Sequence, residues 1–544
     1  MRIPGGVPSA HQDSFAGDRL PPPELMPRFD YSAAHLQGIP DRVNGASLLI
    51  DGAIADGFAN KTAFFCGDEA LSFGALQDRA DRIARVLTED FGLVPGNRVL
   101  IRSANSPMAV ACWLGVLKAG GVVVNTMALL RARELVYIFN KAQVSVVLSD
   151  IDLAEEVELA KGQGEALRHV SYFSMFCTGA GDLDQRMAKK SGGFKAIDTA
   201  ADDVALITFT SGTTGNPKGA MHFHRDIMAV CRCWPRVFTV EQDEIITGSP
   251  SLAFTYGMAA FLMYPLYFRA TAALLPKPTP DAILDTIERR QVTSLYTVPT
   301  MFHALLEKMN GRTTASLRKA SSAGEHLRVR LWENWLEKTG IRLVNGLGMT
   351  EFLTHFISES MAVEVPGSTG RAVPGYTVGV LDDEGKLLAP GHKGRLAAFG
   401  PTGGRYMDDV ERQAKFVQNG WNVTGDLVEQ DADGRIWYTD RSDDMIVTSG
   451  YNVSATEVER VILDHPKVYE CAVIGADDEA RGKVVRACVV LRDPRDAGEA
   501  TAKEIQDFVK ATIAPYKYPR DIKFLEELPK TLTGKVQRFR LRTL

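Results

Sequence analysis

The segment Val204–Gly219 reads VALITFTSGTTGNPKG, and its two halves decide what kind of fold surrounds it. Val204 to Thr210 is a run of apolar, β-branched and aromatic residues, which suits a buried strand. Seven of the next nine residues are Ser, Thr, Gly or Pro: Ser211, Gly212, Thr213, Thr214, Gly215, Pro217 and Gly219. A loop of this make-up points several backbone N–H groups and hydroxyls at one concave spot, the chemistry that cradles phosphate oxygens. Lys218 adds a cation where polyphosphate charge would lie. A plain Gly-rich turn after a strand would need neither the hydroxyls nor the lysine. The Walker A pattern is excluded, because Lys218 is preceded by Pro217 and followed by Gly219, so no hydroxyl is placed for magnesium.

Working outward, an α/β rhythm surrounds this segment. Ser72 can cap a helix in which Ala75, Leu76, Ala80, Ile83, Ala84 and Leu87 recur at helical spacing. Pro95-Gly96 makes a turn before a strand at Arg98–Ile101. Ser106-Pro107 opens the next helix by cap and first-turn proline, Gly120-Gly121 ends it, and Val122–Val124 is again strand. A helix at Arg133–Lys141 and a strand at Val144–Leu148 continue the pattern. Such alternation predicts parallel sheets covered by helices. Thr178–Asp203 reads as a surface excursion, and Leu252–Phe268 as a buried wall too interrupted by Gly257 and Pro265 to span a membrane. A helix near Asp281–Arg290, a strand at Ser294–Val298, a helix at Val329–Lys338 and a strand at Ile341–Val344 follow. Short strands beyond Gly367 suggest a small β-rich unit to about Asp440. The last hundred residues restart with a helix (Thr456–Leu463), a strand (Cys471–Ile474) and a helix (Ala502–Ile513). The expected fold is therefore α/β: a large N-terminal domain, residues 1–440, and a smaller α+β C-terminal domain, residues 441–544.

The chain has 544 residues, 45% apolar and 24% charged, with a formal net charge of −5. Those values describe a soluble globular protein of several folding units and argue against a nucleic-acid binder. Seven scattered cysteines, an odd count without paired spacing, make neither a disulfide framework nor a zinc site and suggest the cytoplasm. The first forty residues, with Pro21, Pro22 and Pro23, read as an extended arm rather than a signal peptide.

Four further stretches carry chemistry: Ser322-Ala-Gly-Glu325, Asn345-Gly-Leu-Gly-Met-Thr-Glu351, Thr424-Gly-Asp426 with Arg441-Ser-Asp-Asp444, and Pro529-Lys-Thr-Leu-Thr-Gly-Lys535. Together with TSGTTGNPKG, in this order, they resemble the adenylate-forming superfamily of acyl-CoA synthetases, peptide-synthetase adenylation domains and luciferases, over residues 45 to 544. The resemblance implies an enzyme that joins a carboxylic acid to coenzyme A at the expense of ATP. Joining a carboxylate to an α-phosphate brings two anions together, so the site must neutralise charge. Thr210, Ser211, Gly212, Thr213, Thr214, Gly215 and Lys218 would then hold the β- and γ-phosphates, Thr350 the α-phosphate, and Glu351 a Mg2+ ion. Gly324 and Glu325 would line the adenine slot, Asn345 would be a further nucleotide-binding residue, and Asp426 and Arg441 would meet the ribose. Lys535 would bridge the carboxylate and α-phosphate oxygens. Asp443 matches a hinge position. Rotation there would bring Ser449-Gly450-Tyr451 to the pantetheine channel, with Gly450 permitting close approach.

Within the superfamily the likeness is to benzoate- and 2-aminobenzoate-CoA ligases, carried by PSAHQDSF, LPPPE, LLRARELVY, GAMHFHRDI, SPSLAFTYG and GMTEFLTHF. Leu347 and Ala455 depart from the superfamily pattern, where Tyr and Pro are common. A flat aromatic acid would fit a slot made by Phe254, Tyr256, Gly257, Gly348, Thr354 and His355, with His355 or Thr354 near an ortho substituent; 2-aminobenzoate is favoured over benzoate. The alternatives are a free-standing aryl-acid adenylation protein that loads a carrier protein, and a CoA ligase for another small carboxylic acid. A nucleotide-binding regulator without catalysis would be expected to have lost Thr350, Glu351, Asp426, Arg441 or Lys535, and all are present. A monomer or homodimer, with no nucleic-acid or membrane partner, is the expected state.

Overall fold

The computed structural model describes residues 7–210, 217–362, 365–441, 445–529 and 536–542. Val204–Thr210 is a strand, as its composition predicts. It continues not into a helix but into a second strand, Lys218–Phe223, that returns antiparallel to it with Thr210 opposite Lys218. This hairpin forms one edge of a six-stranded sheet. Moving away from it, the order is Val122–Thr126, Arg98–Arg102, Val144–Asp150 and His169–Phe173, all parallel.

Parallel strands need crossovers, and the sequence supplies them. Ser72 Oγ accepts from the Ala75 N–H (3.1 Å) to start the helix Phe73–Arg85, and Ser106 Oγ accepts from Ala109 N–H (3.1 Å) to start Pro107–Lys118. The second helix is buried at every residue, because helix 73–85 covers the face that the sheet leaves open. The two approach closely at Gly115, where a Cβ would lie 2.9 Å from the Ala80 carbonyl oxygen.

A nine-stranded sheet stands beside the first. Its six inner strands are parallel and include Ser294–Thr297, Lys319–Ser322 and Leu343–Gly348; antiparallel strands close both edges. The wall Leu252–Phe268 is helical from Thr255 onward and almost wholly buried. One apolar core joins both sheets through residues such as Phe64, Trp113, Phe261 and Tyr296. No helix among the described residues is long and apolar enough to cross a membrane.

The stretch beyond Gly367 forms a five-stranded antiparallel sheet, including Lys393–Phe399, Trp421–Gln430 and Ile436–Arg441. Residues 446–524 build a separate core on a three-stranded sheet, a hairpin and the helices Ala455–Leu463 and Glu499–Thr512. The mixed α/β architecture is the one expected.

Two expectations need correction. Thr178–Asp203 is not all excursion: Asp182–Ala188 is a helix that buries Leu183 and Met187. The N-terminal arm contains short helical turns and is strapped down, with Arg28 N–H donating to Gly420 O (2.8 Å) and Asp30 N–H to Gly400 O (3.0 Å).

Candidate active site

The C-terminal ends of both large sheets, the β-rich unit and the small lobe enclose one cavity of about 1120 Å3. Its chemistry differs from end to end.

At one end Lys218, the first residue of its strand, meets Glu351, which sits on the 3-10 turn Thr350–Phe352 after the strand Leu343–Gly348. Lys218 Nζ donates to Glu351 Oε1 (2.6 Å) and to Tyr406 Oη (2.9 Å), and Tyr406 Oη donates to the same carboxylate oxygen (2.5 Å). Glu351 is almost fully buried. Burial alone would raise its pKa; the Lys218 charge, with hydrogen bonds from Lys218 and Tyr406, outweighs it and holds the carboxyl below its ordinary range. Gly404 leaves the room: a Cβ there would lie 3.4 Å from Glu351 Cγ and 2.5 Å from the Phe416 ring.

Tyr406 was not among the residues singled out in the sequence. Nothing in its spacing marks it, since it reaches the site from a segment that pairs with the Lys218 strand through Met407 N–H to Gly219 O (2.9 Å) and Met221 N–H to Arg405 O (2.8 Å). Behind it Arg405 donates to Asp226 (2.7 Å) in a fully buried ion pair. Burial opposes the charge of Asp226, but Arg405 prevails and the carboxyl falls to about 2.

Asp426 and Arg441 owe their spacing to a hairpin: they are directly opposed on the antiparallel strands Trp421–Gln430 and Ile436–Arg441. Asp426 is buried and lines the cavity with Thr210, Thr350 and Gly324. Asn345 also lines it, with its amide donating to Ser368 O (2.9 Å). Glu325 lies at the wall, but its carboxylate is held within the protein by Thr300 N–H (2.9 Å) and Thr300 Oγ1 (2.7 Å). Ser211, Gly212, Thr213, Thr214, Gly215, Asp443 and Lys535 lie outside the described residues, as does the side chain of Arg441.

The other end is neutral and aromatic. His355 stacks on Trp234 (4.7 Å, 18°) and meets Tyr256 edge-on (5.1 Å, 85°). Burial pushes its pKa down to about 3, so the ring is uncharged at neutral pH. Its Nε2 is buried with no hydrogen-bond partner among the described residues. Thr354 Oγ1 pairs with Tyr264 Oη (2.5 Å), and Tyr256 Oη donates to Ser321 O (3.1 Å). Phe254 and Gly348 line the cavity too. Gly257 does not: the space of its missing side chain belongs to the Ser251 carbonyl, 2.2 Å from where a Cβ would stand. Trp234 and Tyr264, which set the ring and the hydroxyl in place, gave no signal in the sequence.

The small lobe closes the mouth. Gly450 has φ +80 and its Cα lies 3.9 Å from where a Cβ on Gly324, φ +86, would stand. A side chain at Gly450 would also press on Val298 (2.9 Å), so both positions favour glycine. Tyr451 reaches Phe254 edge-on (6.0 Å).

A buried carboxylate held below its ordinary pKa by a lysine and a phenol, at the end of a strand hairpin and in one cavity with a buried aspartate, suits a nucleotide. The family model described as AMP-binding enzyme matches residues 53–405, and that of the AMP-binding enzyme C-terminal domain matches 457–535. The chain belongs to the AMP-binding enzymes. As an AMP-binding enzyme it has relatives along nearly its whole length. Benzoate–CoA ligase of Thauera aromatica is 32% identical over 513 residues, covering 93% of this chain and 97% of the relative. 4-hydroxybenzoate–CoA/benzoate–CoA ligase of Rhodopseudomonas palustris is 32% identical, with coverages of 92% and 94%. Among solved structures, the anthranilate CoA ligase AuaEII in complex with anthranoyl-AMP superimposes with a TM-score of 0.72 at 31% identity, covering 93% of this chain and 98% of that one. This AMP-binding enzyme thus stands with the AMP-forming CoA ligases by which its relatives are named.

Proposed function

We propose that this enzyme activates an aromatic carboxylic acid with ATP and passes the acyl group to coenzyme A. The observation that carries the reading is the polarity of this cavity: a charged end built on Lys218, Glu351 and Tyr406, and a neutral aromatic end built on Tyr256 and His355. Relatives named for benzoate, hydroxybenzoate and anthranilate support it.

In the first half-reaction a carboxylate oxygen attacks the α-phosphorus of ATP, the bond to the β-phosphate bridging oxygen breaks, and pyrophosphate leaves. Lys218, with the Ser211–Gly215 loop, would hold the leaving phosphates, Thr350 the α-phosphate and Asp426 the ribose. Lys535 is assigned to the reacting oxygens through the family resemblance. Glu351 suits Mg2+: it is buried and ionised, and the described residues offer no group of three or more His, Cys, Asp or Glu that could hold a metal, so the ion would take this carboxylate with phosphate and water oxygens. Bound there, it would neutralise phosphate charge. In the second half-reaction the CoA thiol, losing its proton, attacks the acyl carbon; the acyl–oxygen bond breaks and AMP departs. Gly450, lying against Val298 and Gly324 at the mouth, leaves room for the thiol arm.

The acid's ring would lie between Tyr256 and Phe254, with Gly348 giving space. Two features favour an ortho-substituted benzoate, 2-aminobenzoate first. His355 is neutral, and its ring lines the cavity beside Thr354, so an ortho substituent would meet a polar but uncharged edge. AMP release with CoA, measured across benzoate, 2-aminobenzoate, 2-hydroxybenzoate, 4-hydroxybenzoate and short fatty acids, tests the reading. Aromatic acids should exceed fatty acids in kcat/KM, and ortho-amino should exceed unsubstituted. Faster turnover of a fatty acid would overturn the assignment.

A further inference from the structure

Glu134 belongs to none of the nucleotide motifs; it stands on the first turn of the helix Ala132–Lys141, at the wall of the same cavity. Its Oε2 accepts from Arg131 N–H (2.9 Å), which caps its own helix, and also from Ala514 N–H (2.9 Å) in the small lobe. Its other oxygen accepts from Lys517 Nζ (2.6 Å). Lys517 has a second partner inside its own lobe, Glu457 Oε1 at 2.6 Å. All three side chains are buried, at 5%, 3% and 9% exposure. A second cross-lobe pair among the described residues, Arg133 with Asp464 (3.1 Å), is by contrast half exposed.

The arrangement is asymmetric in a useful way. A buried cation left alone is costly, yet Lys517 keeps Glu457 whichever way the small lobe faces. Only Glu134 and the Ala514 N–H change partners when the lobes part, and both can then be met by water. The contact also leads straight to the mouth of the cavity. Tyr516, beside Lys517, stacks on Tyr451 (4.3 Å, 25°), and Tyr451 meets Phe254 on the far side. Holding Lys517 therefore holds the Ser449–Tyr451 turn against Gly324 and Val298.

We propose that Glu134 and Lys517 form a reversible latch that positions the small lobe for thioester formation and is released for adenylation. They are positioning residues, acting through Tyr516 and Tyr451 rather than touching the reacting atoms. The inference rests on the two half-reactions proposed above, so the test reads them separately in the full-length enzyme. Adenylation is followed by aryl-acid-dependent ATP–pyrophosphate exchange, and thioester formation by a single turnover of enzyme-bound aryl-adenylate after CoA is added. Glu134→Ala should slow the thioester step about 10- to 100-fold and leave exchange within about twofold. Glu134→Gln keeps one of the two acceptor oxygens, enough for either the Ala514 N–H or Lys517 Nζ but not both, and should recover only part of that loss. Lys517→Met should repeat the selective loss, and the double variant should be no slower than the slower single. Equal loss of both half-reactions, no change in either, or additive losses in the double variant would overturn the latch. A wild-type enzyme that performs neither half-reaction overturns the ligase reading itself, and is distinguished by failing before any substitution is made.

Discussion

The two ends of the cavity are built by opposite means. At the phosphate end, charge is concentrated: Lys218 and Tyr406 converge on one oxygen of a buried carboxylate and hold it below its ordinary pKa range. At the acid end, charge is excluded: His355 is held neutral by burial, and the remaining hydroxyls are spent on Ser321 and on one another. On the function proposed above, the first end would meet the phosphates that every ATP-dependent reaction of this family shares, and the second would read the shape of the acid and a polar substituent.

Substituting Lys218 should separate the ends most sharply. Lys218→Met removes the cation and leaves Glu351 buried without its counter-charge. Adenylation should fall about 10²–10³-fold, while thioester formation from preformed aryl-adenylate should change little, since pyrophosphate has already left. Loss of the Lys218 charge also raises the Glu351 pKa, so residual exchange activity in the variant should increase as pH rises. Parallel loss of both half-reactions would mean that Lys218 supports the cavity as a whole rather than its phosphate end.

The same contrast explains what could be read from the sequence. The strand at Val204–Thr210, the capped helices at Ser72 and Ser106, and the fold class follow from local pattern, and the structure bears them out; the return strand Lys218–Phe223 does not. Glu351 and Asp426 were marked because they stand in short runs with unusual glycine and threonine content. Tyr406, Trp234 and Tyr264 were not, because each acts through a contact that crosses the fold: Tyr406 with Glu351, Trp234 beneath His355, Tyr264 against Thr354. Gly257 misled for the same reason. Its glycine is needed, but by the Ser251 carbonyl rather than by a ligand. A motif records chemistry that must stay together in the chain; a pocket wall records packing between distant segments.

If burial sets the character of the acid end, protons should show it. The folded state holds His355 near a pKa of about 3, well under the ordinary value of 6.5. Below pH 6.5 the unfolded chain takes up a proton that the folded chain refuses, so stability due to this group is complete above that pH and is lost as pH falls toward 3. Between pH 7.5 and pH 5 the loss amounts to about 2 kcal/mol. His355→Phe keeps the stack on Trp234 and removes the titration, so its stability should decline less over that interval by about this amount in urea unfolding. His224, held at a similar pKa, remains in both proteins and cancels in the comparison. Identical pH slopes would mean that water reaches the His355 ring.

The smallest expected effect asks what the Tyr256 hydroxyl is for. Its oxygen donates to the Ser321 carbonyl, on the strand that leads into Ser322–Glu325, while the ring faces His355. In this geometry the hydroxyl fixes the ring, and on the proposed function the ring would meet the acid. Tyr256→Phe should therefore cost about 1 kcal/mol of stability and raise KM for the aromatic acid severalfold, because the ring loses its tether, with kcat nearly unchanged. A hydroxyl that instead contacted the reacting carboxylate would lower kcat with little change in KM, so the split between the two constants distinguishes a wall that sets shape from a group that takes part in the chemistry.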